Sequence, residues 1–421
     1  EQYLFDAAKK SELIDIRWCS EAVAVRQNEA RVEIDVKDPN GDYVLQADWL
    51  LAADGAKSPL RSMLGLRLKG ENLEGRYVIV DVRMEHHYPT IRRALFDPDC
   101  NPDATVLIHR QPENIWRIDY QLKPDEDAAQ ATTEKNVRTK IAAILEEIGH
   151  KGPWELEWWS VYTANTLLLD DYRRQRVFFI GDSAHIVPIF GVRGLNNGLA
   201  DAENIAWKLA MVERGAASER LLESYSPERR GATLDVFANA VKSARFMTPP
   251  TRGYQLMRDA ALSLALTESF AAGFANPRQM TPYTYADSPL TQRAGMGETA
   301  GPLPGTMAPN ARVADGGNFC DRLSRAFTIL SFGAEAGVSE ARERLHALEP
   351  ESRLLIAGER PPADGGEFVA DAEGEIARRF GAEQGDVFLI RPDLYLAGRW
   401  RGKPVGVAVE ALSRILGRLG D

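Results

Sequence analysis

Two short stretches combine residue types that do chemistry. The first runs Phe179-Ile180-Gly181-Asp182-Ser183-Ala184-His185, then Pro188, then Gly191-Val192-Arg193-Gly194-Leu195-Asn196-Asn197-Gly198. A buried apolar strand ending in Gly-Asp sets a carboxylate at the carboxyl edge of a sheet, where ligands collect in open α/β folds. The glycines let backbone come close to a ligand. Leu195-Asn196-Asn197-Gly198 opens a helix, whose first N–H groups favour partial negative charge. Together they suit a polyhydroxylated, anionic cofactor: Asp182 accepts hydroxyl hydrogen bonds while the helix terminus faces an electron-rich ring. A glycine-rich turn in a plain βα unit is the alternative this segment leaves open.

The second stretch is Ala53-Asp54-Gly55-Ala56-Lys57-Ser58-Pro59-Leu60-Arg61. An apolar strand delivers an Asp-Gly turn, and Ser58 and Pro59 then suit the N-cap and first residue of a helix. Arg61 falls in the first helical turn, where a positive charge is poorly matched to the helix dipole. An anionic partner would explain it; an ordinary strand-to-helix connection with a surface arginine is the competing reading.

The elements that must position these stretches follow from periodicity. Tyr3, Leu4, Ala7 and Ala8 have helical spacing, so the chain is expected to open inside an element. Ile14, Ile16 and Trp18 alternate as in a half-buried strand, and Val32, Ile34 and Val36 repeat the pattern. Pro39-Asn40-Gly41-Asp42 is a turn signal, and the next strand climbs from Tyr43 to Ala53. Its last five residues are all apolar, which predicts cover on both faces. From 70 to 163 the texture becomes that of an antiparallel sheet, with strands at 78–83, 105–110 and 115–122 and a helix at 133–148. The α/β texture then returns: a strand at 176–180, a helix after Gly198 with Leu199, Ala202, Ala206, Leu209 and Ala210 on one face, and helices at 221–245 and 252–275. Residues 277–309 read as a linker rich in Pro, Gly, Thr and Met. Beyond it, strands at 327–333, 353–357, 386–391 and 394–400 and helices at 338–347 and 406–419 form a compact α/β module.

Composition narrows the partners. The 421 residues are 44% hydrophobic and 27% charged, enough apolar surface for large cores. The net charge of −10 disfavours non-specific binding to nucleic acid or an anionic membrane. Cys19, Cys100 and Cys320 are far apart and form no CxxC pair, the usage of a reducing cytosol, so a cytoplasmic location is expected. The longest apolar stretch, Ala260 to Ala275, is broken by Thr267 and Glu268, which excludes it as a membrane span.

The two chemical stretches resemble the paired signatures of FAD-dependent aromatic hydroxylases, the single-component flavoprotein monooxygenases. The order also fits: Asp-Gly segment, inserted sheet, Gly-Asp segment, flavin-facing loop, long helix. The likeness extends through Asp201-Ala202-Glu203-Asn204-Ile205-Ala206-Trp207-Lys208-Leu209 and Tyr225-Ser226-Pro227-Glu228-Arg229-Arg230, covering most of residues 1 to about 245. Pro304-Gly305, Phe327-Thr328-Ile329-Leu330 and Leu389 through Trp400 resemble the thioredoxin-like tail of the branch acting on phenols, hydroxyphenylpropionates and polyketides. Without a CxxC pair, that tail is expected to pack or to make a homodimer rather than to do thiol chemistry.

The resemblance implies a fold and an activity. The fold is α/β: an FAD-binding Rossmann-like domain over 1–69 and 164–276, an inserted antiparallel substrate-binding sheet at 70–163, the linker 277–309 and a thioredoxin-like domain at 310–421. The family's G-x-G-x-x-G motif is absent from this sequence, so the FAD-binding domain is expected to be N-terminally incomplete. The implied cofactors are FAD and NAD(P)H, and the partners a small aromatic substrate and O₂, with oxygen delivered through a flavin C4a-hydroperoxide. Asp182 would bind the ribityl hydroxyls or the pyrophosphate through water, and Pro188 would sit beside the isoalloxazine. Gly194, Leu195 and Asn196 would offer N–H groups to the ring. Asp54, Gly55 and Arg61 would anchor the flavin side and the region used by the nicotinamide donor. A reductase of the same fold, an inactive remnant and a scaffold protein are the other readings.

Three further groups carry less. His86-His87 reads as a surface pair, because no other ligands stand at metal-site spacing. Trp154, Trp158 and Trp159 read as sheet packing. Trp116, Ile118 and Tyr120 alternate in the inserted sheet, as core first and as pocket lining second.

Overall fold

A computed structural model of the chain describes residues 1–123, 125–188, 193–275, 282–292, 300–313, 316–323, 325–333, 337–362 and 366–418. The expectations at Gly191 and Val192, and for 277–281 and 293–299 of the linker, lie outside the described residues.

After helix α1 (Gln2–Ala8), strands β1 (Glu21–Gln27), β2 (Val32–Lys37) and β3 (Tyr43–Ala47) make an antiparallel sheet in that order. The turn at 38–42 joins β2 to β3, and the Asp38 carboxylate accepts the Asn40 N–H at 2.9 Å. Two expectations are corrected here. Ile14, Ile16 and Trp18 form no strand; their side chains are exposed, because among the described residues no neighbouring strand offers them a ladder. The run from Tyr43 to Ala53 is two strands, since β3 ends at Ala47 and β4 (Leu50–Ala52) joins another sheet. Only Ala52 of β4 is fully buried, while Leu51 is exposed. Helix α2 (Pro59–Met63) starts where expected, with the Ser58 hydroxyl accepting the Arg61 N–H at 3.0 Å.

The inserted sheet is longer than its sequence suggests. Strand β5 (Lys69–Met84) is followed by β6 (Arg93–Phe96), β7 (Thr105–Arg110), β8 (Ile115–Gln121), helices α3 (Ala128–Ala131) and α4 (Glu134–Glu147), and β9 (Trp154–Leu168). The order is β9-β5-β8-β7-β6, all antiparallel. Val137, Ile141, Ile144 and Leu145 recur at helical spacing on α4 and pack on Val78, Val80, Val82, Trp116, Ile118 and Tyr120. Each such aliphatic side chain, fully buried, contributes roughly 1.5–3 kcal/mol. The Trp116, Ile118 and Tyr120 face is therefore core.

Strands β10 (Arg173–Arg174) and β11 (Val177–Phe179) complete a small sheet in the order β10-β11-β4, with β11 parallel to β4. Strand β12 (His185–Ile186) pairs with β9 and stitches the inserted sheet to this body. Helices α5 (Gly194–Glu213), α6 (Tyr225–Met247), α7 (Arg252–Leu264) and α8 (Ser269–Ala275) follow. The expected apolar face of α5 is not its buried face. Leu199 and Ala206 are exposed, and Asn197, Asp201, Asn204, Ile205, Lys208 and Met211 are buried instead.

Beyond the linker, β13 (Thr328–Phe332), α9 (Val338–Leu348), β14 (Arg353–Gly358), β15 (Phe368–Ala370), α10 (Glu375–Phe380), β16 (Val387–Ile390), β17 (Leu396–Trp400) and α11 (Gly406–Ile415) form the last module. Its sheet runs β15-β14-β13-β16-β17, parallel through β13 and antiparallel after it. Met211, Ala217, Leu221 and Leu290 enter the same core as Phe327, Ile329, Leu389 and Leu412, so this module and the end of α5 share one hydrophobic interior.

Candidate functional site

The Gly-Asp stretch folds as the end of β11 and a tight helical turn over Gly181–Ser183. The Ile180 N–H donates to the Ala52 carbonyl at 3.0 Å, and the Ser183 hydroxyl reaches the same carbonyl at 2.6 Å. Gly181 has φ +60°, a conformation that favours glycine. A side chain at Gly198 would put its Cβ 3.2 Å from the Gly181 Cα. The turn therefore lies directly on the first turns of α5, and the two stretches of the sequence motif meet. Asp182 is exposed, and so are Leu195 and Asn196 in the first turn of α5. Gly194, Leu195 and Asn196 are the first three residues of that helix, the turn whose N–H groups point out of its end. Pro188 is buried.

The Asp-Gly stretch leans on the same spot. The Asp54 carboxylate accepts the Ser58 hydroxyl at 2.6 Å and the Leu60 N–H at 3.0 Å, and Gly55 makes the turn at φ +79°. Arg61 is buried and points inward, donating to the Ser183 carbonyl at 2.9 Å and the Ala56 carbonyl at 2.7 Å. Burial lowers its pKa, and Asp54 opposes that shift. In the structure, backbone carbonyls accept from this guanidinium, and the nearby Asp54 carboxylate is the anion whose charge favours it. Arg61 ties one motif to the other.

Beneath this contact lies a charge network that sequence periodicity did not reveal. His185 Nε2 is 2.7 Å from Asp201 Oδ2, which also accepts the Gly181 N–H at 2.9 Å. Arg229 donates to Asp201 Oδ1 at 2.6 Å, Asn197 Oδ1 at 2.6 Å and the Tyr285 hydroxyl at 2.7 Å. Burial pushes the Asp201 carboxyl up, but Arg229 and His185 outweigh it and its pKa is lowered. A second cluster joins this body to the last module. Glu228 accepts Arg391 at 2.6 and 2.9 Å, Lys208 at 2.8 Å and Asn204 at 2.7 Å. Against the cost of burial, Arg391 and Lys208 hold Glu228 far below the usual carboxylate range, whereas burial brings Lys208 down to about 8. The available signal was the charged residues repeating through Asp201, Lys208, Glu228 and Arg229, which an apolar-face reading passes over.

The open face of the inserted sheet also turns toward the motif. Tyr77, Ile79, Asp81, Arg117, Asp119, Gln121 and Tyr162 lie opposite one another on it. The Tyr162 hydroxyl donates to the Val187 carbonyl at 3.0 Å, next to Pro188. The end of α6 covers one row: Tyr77 and Thr248 hydroxyls are 2.9 Å apart, and Thr248 donates to Gln121 at 2.9 Å. A cavity of about 280 Å³ lies along α5, among Asn196, Glu203, Arg229, Tyr283 and Tyr395. His86 meets His150 rather than standing alone, yet among the described residues no three His, Cys, Asp or Glu side chains are grouped to hold a metal ion.

A glycine turn at the carboxyl edge of a strand, packed on the first turns of a helix, is the place where ligands bind in open α/β folds. Residues 1–240 match a family described as FAD binding domain. The chain belongs to this FAD-binding family, and FAD is its cofactor. It is 27% identical to a 3-(3-hydroxy-phenyl)propionate/3-hydroxycinnamic acid hydroxylase of Burkholderia vietnamiensis, over 95% of this chain and 74% of that one. It is 25% identical to the corresponding hydroxylase of Comamonas testosteroni, over 99% of this chain and 79% of that one. Its fold matches the flavin-dependent monooxygenase PieE, solved with FAD and substrate, at a TM-score of 0.82 and 23% identity over 99% of this chain and 79% of that one. Aklavinone-11 hydroxylase, solved with FAD and aklavinone, superposes with a TM-score of 0.73 at 21% identity, over 95% of this chain and 74% of that one.

Proposed function

We propose that this enzyme hydroxylates a phenolic aromatic compound, using FAD, NAD(P)H and O₂. The observation that supports this most is the meeting of the 181–183 turn with the start of α5 through Gly181 and Gly198, under a sheet whose open face is tied to the Val187 carbonyl. That arrangement fits FAD: Asp182 suits a polyhydroxylated chain, exposed Leu195 suits a flat ring, and the amides of Gly194, Leu195 and Asn196 suit negative charge on it. Pro188 would flank the ring. Asp54, Gly55 and Arg61 act from behind, by fixing the 53–61 turn to the Ser183 carbonyl. When bound, FAD supplies the electron transfer and oxygen insertion. The chain's own residues bind and orient the ring and exclude water, and such positioning needs few chemically reactive side chains. The same reading assigns 1–69 and 164–276 to FAD, 70–163 to substrate, 277–309 to a linker and 310–421 to a thioredoxin-like domain. It includes a homodimer made through that domain and a cytoplasmic location.

The test is an absorbance spectrum of the purified chain with FAD added, followed by NAD(P)H oxidation with and without phenols and product analysis. A flavin band with phenol-stimulated oxidation and a hydroxylated product is expected. Oxidation without hydroxylated product would favour a reductase. A folded chain that takes up no FAD would favour a remnant or scaffold.

A further inference from the structure

One carboxylate on the open face of the inserted sheet keeps a buried oxygen without a hydrogen-bond partner. Asp119 lies in the middle of β8, 5% exposed, and its Oδ1 has no hydrogen-bond partner. An unsatisfied buried oxygen is costly to keep and calls for a reason. Its neighbours do not supply one. Arg117, two residues away, is held by Asp81 through two bonds of 2.8 Å. Cross-strand from Asp119 stand Ile79 of β5 and Leu107 of β7, and neither can donate a hydrogen bond from its side chain. On the next row, the His109 Nδ1 is also buried and without a partner. Two orphan polar atoms thus share one face, and half-buried Ile79 and Ser160 leave the Asp119 row incompletely covered. One pleat further along, the Tyr77–Tyr162 row reaches the Val187 carbonyl beside the motif.

We infer that Asp119 is a specificity-determining residue of the hydroxylation site, its open oxygen accepting the hydrogen bond of a ring hydroxyl on the substrate. This rests on the phenol-hydroxylase reading above and adds the residue that reads the hydroxyl. The chemistry favours a donor over an acid. Asp119 and Asp81 would repel a carboxylate placed there, and of the two arginines whose charge reaches Asp119, Arg92 and Arg117, the latter is already engaged by Asp81. No bond is made or broken on binding; the phenolic proton stays on its oxygen and is shared with Oδ1. The groups facing Asp119 are Arg117 on its own strand, Asp81 and Tyr77 from β5, His109 from β7 and Arg92 from the segment before β6. Burial, opposed by Arg92 and Arg117, brings the carboxyl up to about 6, while burial takes His109 down to about 4. Of the two orphan groups, only Asp119 then changes charge between pH 5 and 8, and its acceptor strength falls as the pH drops through that range.

The test compares phenol with its methyl ether, anisole, by titration calorimetry of the FAD-loaded chain between pH 5 and 8. The expected result is a preference for phenol of about 10- to 100-fold at pH 8, the yield of one hydrogen bond to a charged group. That preference should shrink below pH 6. Asp119→Ala should lose the preference, and near-isosteric Asp119→Asn should lose its pH dependence. If Asp119→Ala does not fold, the pH profile of Asp119→Asn decides alone. A wild-type preference and pH step that survive in Asp119→Asn would overturn the inference and leave the phenol reading intact. So would wild-type protein that hydroxylates phenols yet binds phenol and anisole alike. Wild-type protein that binds neither ring and hydroxylates none would remove the phenol reading, and this inference with it.

Discussion

At the scale of single residues, the chain keeps costly charges where a simpler core would be more stable. Asp119 illustrates this with a sign that can be checked. Its carboxyl is brought up from 3.8 to about 6, so between those values the folded protein binds more protons than the unfolded one. Stability must then fall as pH rises through that window. Above it the penalty is about 3 kcal/mol, at 1.36 kcal/mol per pKa unit. Asp119→Asn is expected to raise the stability at pH 7 by up to that amount and to flatten the pH 4–6 slope, as urea titrations would show. An unchanged midpoint would mean the carboxylate is already compensated. Glu228 has the opposite sign. Its pKa is held low, so its contribution is complete above the unfolded value of 4.5 and is lost as pH falls further. Glu228→Ala should cost roughly 3–5 kcal/mol, because Arg391 and Lys208 stay buried without their counter-charge. Thermal melts would reveal it, and a loss under 1 kcal/mol would contradict the network's role.

At the scale of elements, the sequence was readable where geometry repeats locally. Ser58 and Pro59 opened α2 as expected, and Val137, Ile141, Ile144 and Leu145 declared the buried stripe of α4. Helix α5 was misread because its buried stripe is polar, and no apolar period marks Asp201 or Lys208. The single-strand reading of 43–53 failed because side-chain pattern carries no information about which sheet a strand joins. The site motif was legible as residues, while the inward turn of Arg61 onto the Ser183 carbonyl was not, since it depends on contact across 122 positions. Gly198 tests the packing of α5 on the 181–183 turn. In an exposed helix interior, alanine for glycine gains about 1 kcal/mol. Here the new Cβ meets backbone at 3.2 Å, so Gly198→Ala should instead weaken both FAD retention and stability. Fluorescence titration with FAD would decide, and tighter binding would exclude the close-contact argument.

At the scale of the whole molecule, the last module is part of the body it follows. Met211, Leu221 and Leu290 pack in one interior with Phe327, Ile329 and Leu412. A chain ended after residue 309 should therefore expose that interior and aggregate, and size-exclusion chromatography showing a folded, monodisperse product would refute it. The interior also explains how α5 is held at both ends: Gly181 at its start and the module at its finish.

The junction between that module and α5–α6 has a practical consequence. Its ionic pairs, Glu228 with Arg391 and Lys208, are wholly shut away from solvent. Dissolved ions screen charges only where they can approach them. Molar sodium chloride should thus leave the two halves locked together, and so should mild acidification, because Arg391 and Lys208 keep the Glu228 carboxyl charged far below the usual carboxylate range; only strong acid should unfasten them.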